Sequence, residues 1–271
     1  MNQLGMCILK EYTETKRRYK LYAFLGVPLL LGFLVLISLI VLPSLIRTLP
    51  SEMFTTSGGS AGVAELLRAM LPDNVSGSMG MYAADMGLFY IITVIMLTSG
   101  VVTKEIKKKQ WILPMCVGIK PKNMLLAKYI VYGCMSMSAT FLGYTFYYII
   151  ALYYFDRDMS AIQFLACGSV FALAVLWVTI LSIGLSVTSK KQWIAASSMI
   201  ATTLLTPDIL YLFKFGRFLP TFMLTYVYNS GQISDKSSLI VSIIVSLLTM
   251  GGMIVWSLKA IKKIKVEGIG T

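Results

Sequence analysis

Residues able to do acid–base, metal or nucleotide chemistry are sparse in this 271-residue chain. It contains no histidine, which excludes Ser-His-Asp triads and zinc sites of the HExxH type. No GxxxxGKS or GxxxxGKT segment occurs, so the chain cannot bind ATP through a phosphate loop of its own. The four cysteines show no CxxC spacing, which argues against a metal site or a disulfide framework. We therefore expect no enzyme activity from this chain alone, and no cofactor or metal within it.

One carboxylate, that of Asp208, lies well inside an apolar stretch, directly after Pro207. A carboxylate in the hydrocarbon layer is costly, so such a residue marks a translocation pathway or an ion site by default. Alternatively, Pro207 breaks the helix and Asp208 caps the helix that follows. Thr203 and Thr206 either satisfy backbone groups freed by the proline or face the same pathway. These four residues are the candidate pathway residues.

Six apolar stretches of membrane-spanning length position these side chains. They cover residues 21–46, 86–103, 129–155, 159–189, 192–213 and 237–258. A helix needs about 20 apolar residues to cross the hydrocarbon layer, where its backbone groups bond to one another. The composition agrees, with 57% apolar residues and a mean hydropathy of +0.77. The sequence predicts an all-α membrane protein, a bundle of six transmembrane helices that forms a single domain over residues 1–271.

Basic residues are distributed unevenly between the ends of these stretches. If both termini face the cytoplasm, 18 of the 24 lysines and arginines lie on that side. This is the positive-inside bias of membrane proteins. The formal net charge of +12 then reports orientation and attraction to anionic lipid, not nucleic-acid binding. We expect a multi-pass plasma-membrane protein with cytoplasmic N- and C-termini, in contact with membrane lipid and not with nucleic acid.

Two further segments have compositions suited to the membrane interface. In residues 1–20 an apolar stripe recurs at helical spacing, whereas the acidic and basic residues fall largely on other faces. The stripe comprises Leu4, Ile8, Tyr12, Thr15 and Tyr19. It predicts an N-terminal interfacial helix, with a disordered basic tail as the alternative. Residues 214–236 are rich in aromatic side chains, which predicts a re-entrant segment in the outer leaflet or an ordinary interfacial aromatic belt.

Residues 103–128 follow the second stretch and combine charged with apolar side chains. A lysine-rich run leads into an apolar patch from Trp111 to Val117, Gly118 makes a turn, and Pro121 suits the first position of a new helix. The pattern predicts a helix–turn–helix elbow at the membrane surface whose apolar residues a soluble protein could bind. The alternative is an interfacial connector that inserts Trp111 and Ile112 among lipid headgroups.

This elbow resembles the segment after the second span in permease subunits of type 2 ATP-binding-cassette transporters. Glu105 and Lys128 stand at its expected ends, while Lys109 and Gln110 replace the usual Gly-Thr pair and Gly118 replaces the usual turn proline. Other matching positions are Leu113, Ile119, Lys122, Leu125 and Leu126. The remaining architecture agrees over nearly all of the chain.

The resemblance implies a transmembrane subunit that pairs with a second copy or a sister permease. Two separate cytoplasmic ATPase subunits would bind ATP and magnesium and would contact a coupling helix in the elbow. The coupling residues would be Glu105, Lys108, Trp111, Ile112, Leu113, Lys120 and Lys128. The implied function is that of a bacterial exporter that moves an amphiphilic substrate such as a peptide or drug. An ATPase-coupled sensing or immunity component and a stand-alone channel-like protein are the alternatives.

Overall fold

The computed structural model describes residues 3–48, 72–189, 191–211, 214–232 and 236–261. Those ranges are almost entirely helical and contain no β-strand. Five helices in them are long and apolar enough to cross a membrane. They are Lys20–Val41, Val75–Lys107, Pro121–Tyr154, Ala161–Ser189 and Lys236–Ile261. The predicted all-α class is confirmed, and the five helices are compatible with a multi-pass membrane protein.

The helices pack around one central member. In chain order they are α1 (Gln3–Arg17), α2 (Lys20–Thr48), α3 (Val75–Asp85), α4 (Ile91–Thr98), α5 (Val101–Lys107), α6 (Ile112–Cys116), α7 (Pro121–Tyr154), α8 (Ala161–Ser189), α9 (Gln192–Tyr211), α10 (Phe222–Tyr228) and α11 (Lys236–Ile261). A π-helical turn, Met86–Tyr90, joins α3 to α4. Helix α8 contacts α4, α5, α7, α9, α10 and α11, so it forms the core of the bundle.

The second apolar helix begins earlier than the sequence indicates. The second apolar stretch is predicted at residues 86–103, yet α3 begins at Val75, eleven residues earlier. The Asn74 side chain accepts a hydrogen bond from the Gly77 amide at 3.0 Å and so caps the helix. The polar residues of α3 resemble a loop in composition, but Ser76 and Ser78 are buried and hydrogen-bonded.

Other boundaries agree with the predictions more closely. The short connection between the third and fourth stretches is present, because α7 ends at Tyr154 and α8 begins at Ala161. The predicted fifth span corresponds to α9, which is not among the five long apolar helices. Its side chains are described only as far as Leu204, so those of Thr206, Pro207 and Asp208 lie outside the described residues.

One end of the bundle is held together by polar contacts between α3, the α7–α8 connection and α10. The Asp158 carboxylate accepts from the Ser76 amide at 2.9 Å and also bonds the Ser76 hydroxyl. The Ser230 hydroxyl donates to the Ser76 carbonyl, and the Gln163 amide donates to the Ser230 carbonyl at 2.6 Å. Because Asp158 lies at the N-terminus of α3, its negative charge also interacts favourably with the positive end of the helix dipole.

The aromatic segment before the last helix packs onto this same end. Phe222, Met223, Leu224 and Val227 of α10 are buried, whereas Phe218 is 44% exposed. Helix α10 contacts α3, α8 and α11. Its apolar side chains are therefore directed largely into the bundle instead of forming an exposed belt. Residues 233–235 of the predicted re-entrant segment lie outside the described residues.

Candidate functional site

Helix α1 presents a mixed face to the bundle, and this face brings the first charged residue of the site into place. Cys7, Glu11 and Thr15, spaced four residues apart, are its buried members. The expected stripe is correct for Leu4, Ile8 and Thr15, but Tyr12 and Tyr19 are exposed. The expectation that Glu11 lies on another face was wrong, because a cation on α7 compensates the cost of burying its carboxylate.

That cation is Lys128, which lies between two carboxylates. Its ammonium contacts both Glu11 oxygens at 2.8 Å and Glu105 Oε1 at 2.7 Å. Trp111 Nε1 donates to the other Glu105 oxygen at 2.8 Å. All four residues are buried, with Lys128 only 1% exposed. We call these four residues the Lys128 junction, and they join α1, α5, α6 and α7. The junction lies at the end of the bundle that carries the elbow, which we call the elbow end.

The charges of the junction do not cancel. Two carboxylates share one ammonium, so the fully ionised cluster carries one surplus negative charge away from water. Burial raises the pKa of the Glu11 carboxyl above its ordinary value, and the Lys128 ammonium opposes this effect only in part, while Glu105 adds to it. Glu11 therefore holds a proton more readily than an exposed glutamate does.

The chain between α5 and α7 forms the predicted elbow above this junction. Lys109 adopts a positive φ of 56° after α5, and the Gln110 amide returns to the Glu105 carbonyl at 3.0 Å. Helix α6 follows, and Gly118 turns the chain with a φ of 86°, which glycine adopts without strain. Pro121 is the first residue of α7, as predicted.

The seven predicted coupling residues separate into two groups. Glu105, Trp111 and Lys128 are buried beneath the elbow, whereas Ile112 is partly buried. The exposed members are Lys108, Leu113 and Lys120, with Leu113 76% exposed. Val117, which we did not include among them, is 77% exposed beside them. The elbow therefore presents an apolar tip, surrounded by lysines, on a buried ionic support.

Glu11 is the residue of this site that the sequence analysis missed. A signal was available, because Glu11 and Thr15 continue the four-residue spacing from Cys7 into an otherwise apolar face. The predicted pathway residue Thr203 lies elsewhere, in α9. It is 2% exposed, and its hydroxyl donates to the Met199 carbonyl at 2.8 Å within its own helix.

Three carboxylates come close enough together to suggest a metal site, because oxygens of Glu11, Glu14 and Glu105 lie within 4.8 Å of one another. A metal ion there would have to displace the Lys128 ammonium from Glu11 and Glu105, which it contacts closely. The arrangement is therefore better suited to holding helices together than to holding a cation.

The cysteines divide equally between buried and exposed positions. Cys7 and Cys167 are buried, as expected for small apolar residues, whereas Cys116 and Cys134 are exposed. Cys116 lies at the end of α6, so the elbow tip carries an accessible thiol.

Comparison with known proteins adds no assignment. No protein-family model matches this chain, and no curated protein matches it in sequence.

Proposed function

We propose that this chain is the permease subunit of an ATP-driven exporter in a bacterial-type plasma membrane. Two separate ATPase subunits would bind the elbow, and a second permease copy or a sister permease would complete the transmembrane unit. The proposal rests on one observation above all. The elbow tip exposes apolar side chains at the end of a bundle helix, and it stands on a buried ionic junction that ties it to three other helices.

An exposed apolar tip on a rigid base is suited to binding a soluble partner. Leu113 and Val117 are each more than three-quarters exposed, and Lys108 and Lys120 flank them. A partner with an apolar pocket and an acidic rim would complement this surface in shape and charge. The chain has no phosphate loop of its own, so ATP-driven transport as proposed would use ATP bound by such a partner.

The Lys128 junction provides contacts through which a movement of the elbow would be passed to the helices of the bundle. Force applied to α6 reaches α5 through the Trp111–Glu105 hydrogen bond, and reaches α1 and α7 through Lys128. Closure of the ATPase pair on ATP would then shift the population between inward-open and outward-open arrangements. Thr203, Thr206, Pro207 and Asp208 remain the proposed lining of the pathway for an amphiphilic substrate.

The proposal expects an ATP-binding-cassette ATPase to be encoded beside this chain, and its test is copurification with that ATPase, followed by measurement of the ATPase rate of the complex. Leu113→Ser removes an exposed apolar contact without affecting the core. We expect roughly tenfold weaker retention of the ATPase, which corresponds to about 1.4 kcal/mol of binding free energy. Tyr153→Ser is the matched control, because Tyr153 is 84% exposed at the opposite end of α7.

Two outcomes would contradict the proposal. Equal retention of the ATPase by both variants would remove the elbow from the interface. A complex that forms but transports no labelled amphiphilic peptide into inverted vesicles would favour the sensing or immunity role.

A further inference from the structure

A partly enclosed cavity of about 140 Å³ lies beside the Lys128 junction. It is bounded by the end of α1, the start of α2, the α4–α5 boundary and α7. One part of its lining is cationic, formed by Arg18, Lys20 and Lys104. Another part is apolar, formed chiefly by Met96 and Leu97. A lining that changes from charged to apolar is suited to the headgroup and glycerol region of a phospholipid.

Lys20 is the cation of this lining that is partly buried and forms no direct ion pair with a residue that the structure describes. Its ammonium donates to the Tyr132 hydroxyl at 2.9 Å and lies 5.0 Å from the centre of the Tyr132 ring. Within the described part of the chain, no carboxylate lies within 4.0 Å of it. The Glu11 and Glu105 carboxylates are bound by Lys128 instead. Glu11 and Glu105 act on the Lys20 ammonium only from a greater distance, so it has no direct anionic contact, and a phosphate oxygen would supply one.

The other charged side chains that line the cavity do not form an ion pair with Lys20. Arg18 and Glu14 form an ion pair at 2.5 Å, so their charges cancel. Glu105 is engaged by the Lys128 junction. Lys104 is exposed and forms no ion pair with any residue that the structure describes. Neither Lys20 nor Lys104 therefore forms a direct ion pair with a carboxylate that the structure describes. When the surplus negative charge of the Lys128 junction is included, the region keeps one net positive charge.

The cavity lies at the depth where headgroups are expected. Tyr19 and Tyr22 are 75% and 58% exposed, and their ring centres are 5.9 Å apart. They flank the first residues of α2, where its apolar run begins. Exposed tyrosines at the end of an apolar helix are typical of the membrane–water interface. Tyr19 also holds a positive φ of 58°, which sets the direction in which the chain leaves α1.

We propose that this cavity binds the headgroup of an anionic phospholipid, with its phosphate between Lys20 and Lys104. Its glycerol and first acyl carbons lie against Met96 and Leu97. Phosphatidylcholine carries a second, cationic group that would meet the same lysines, so a lipid with net negative charge is favoured. The inference concerns lipid binding by this chain alone and does not depend on a partner ATPase.

Native mass spectrometry of the purified full-length chain in detergent tests the proposal. Phosphatidylglycerol and phosphatidylcholine with identical acyl chains are titrated separately. We expect tighter binding of phosphatidylglycerol, and about a fivefold loss of its affinity in Lys20→Gln and in Lys104→Gln. Lys16→Gln is the control, because Lys16 is an exposed cation of α1 that does not line the cavity.

Three results would overturn it. Equal affinity for the two lipids would remove the preference for negative charge. A loss in Lys16→Gln as large as in Lys20→Gln would indicate general attraction to the basic surface. Displacement of the lipid by an equal concentration of glycerol phosphate would assign the cavity to a soluble anion. If Lys20→Gln did not fold, Lys104→Gln would decide alone, because Lys104 is exposed.

Discussion

The Lys128 ammonium is almost completely enclosed, and its two carboxylate partners are only 8% exposed at their side chains. Such a group gains its stability from hydrogen bonds that replace water. Removing it leaves two carboxylates buried and facing one another, which is far more costly than the pair was stabilising.

We therefore expect Lys128→Met to lower the free energy of unfolding by about 3–5 kcal/mol. The change keeps most of the side-chain volume, so the loss reports charge and not a cavity. Denaturant unfolding in detergent, followed by tryptophan fluorescence, measures it. Lys122→Met, on an exposed face of the first turn of α7, is the control and should be nearly neutral. A similar result for both variants would contradict the structural role of the junction.

Glu11 makes stability depend on pH. Its pKa is raised by burial above the ordinary value of 4.5, so between the two values the folded state binds more protons than the unfolded state. The contribution is complete below 4.5 and is lost as pH rises through the folded pKa. We expect the thermal midpoint of the wild type, relative to Glu11→Gln, to be highest in acid and to fall as pH increases. Midpoints measured from pH 4 to 8 test this, and a difference that grows with pH would contradict it.

At the scale of residues, the resemblance to a known family singled out Glu105, Trp111 and Lys128 as coupling residues, a role that stays a prediction, and it did not single out Glu11. Amphipathic patterning assigns charged residues to solvent, and it fails where a charge on a distant helix compensates burial. Glu11 and Lys128 are 117 positions apart in the chain. Only the folded arrangement reveals such a pair.

At the scale of elements, the sequence likewise predicts some helices and misses part of another. The long apolar helices are evident from hydropathy because nothing interrupts their composition. Helix α3 is not, because its serines and glycines resemble a loop. Those small residues serve close packing, since a Cβ added to Gly80 would lie 2.5 Å from the Tyr228 carbonyl oxygen of α10. The packing of a neighbouring backbone cannot be read from local composition.

Gly80→Ala is accordingly expected to destabilise the chain by about 1–3 kcal/mol, because backbone atoms must move to admit the methyl group. The midpoint of thermal unfolding in detergent measures the change. Gly26→Ala in α2 is the matched control, since a Cβ there would meet nothing within 4 Å. It should be neutral or slightly stabilising, because alanine favours helices over glycine. An equal effect of the two substitutions would mean that α3 and α10 do not pack closely.

For the molecule as a whole, the distribution of basic residues predicts which end faces the cytoplasm. The elbow end carries Lys108 and Lys120, whereas the α7–α8 connection lies at the opposite end. The sequence predicted the helical class, whereas the described residues contain five long apolar helices against the six predicted stretches. It did not predict how the helices pack around α8, because lipid-facing and buried apolar residues look alike in composition.

Orientation can be tested with the native thiol of the elbow. Cys116 is exposed, so a membrane-impermeant maleimide should label it in inverted vesicles and not in intact cells. Cys116→Ser should abolish that labelling. In this background Arg157→Cys, on the exposed connection between α7 and α8, should be labelled in intact cells instead. Labelling of Cys116 from outside would place the elbow beyond the reach of any cytoplasmic ATPase.

The π-helical turn at Met86–Tyr90 has a geometric consequence for the second long helix. A π turn accommodates one residue more than an α turn, and each α-helical residue advances by about 100° around the axis. The portions of this helix before and after the turn are therefore out of phase by that angle. Deleting a single residue there would rotate Tyr82 away from Tyr147, whose ring it stacks against at 4.3 Å. The π turn therefore sets the rotation of one part of this helix relative to the other. If the turn changed to α-helical geometry, the side chains on one side of it would rotate about the helix axis while those on the other side kept their positions.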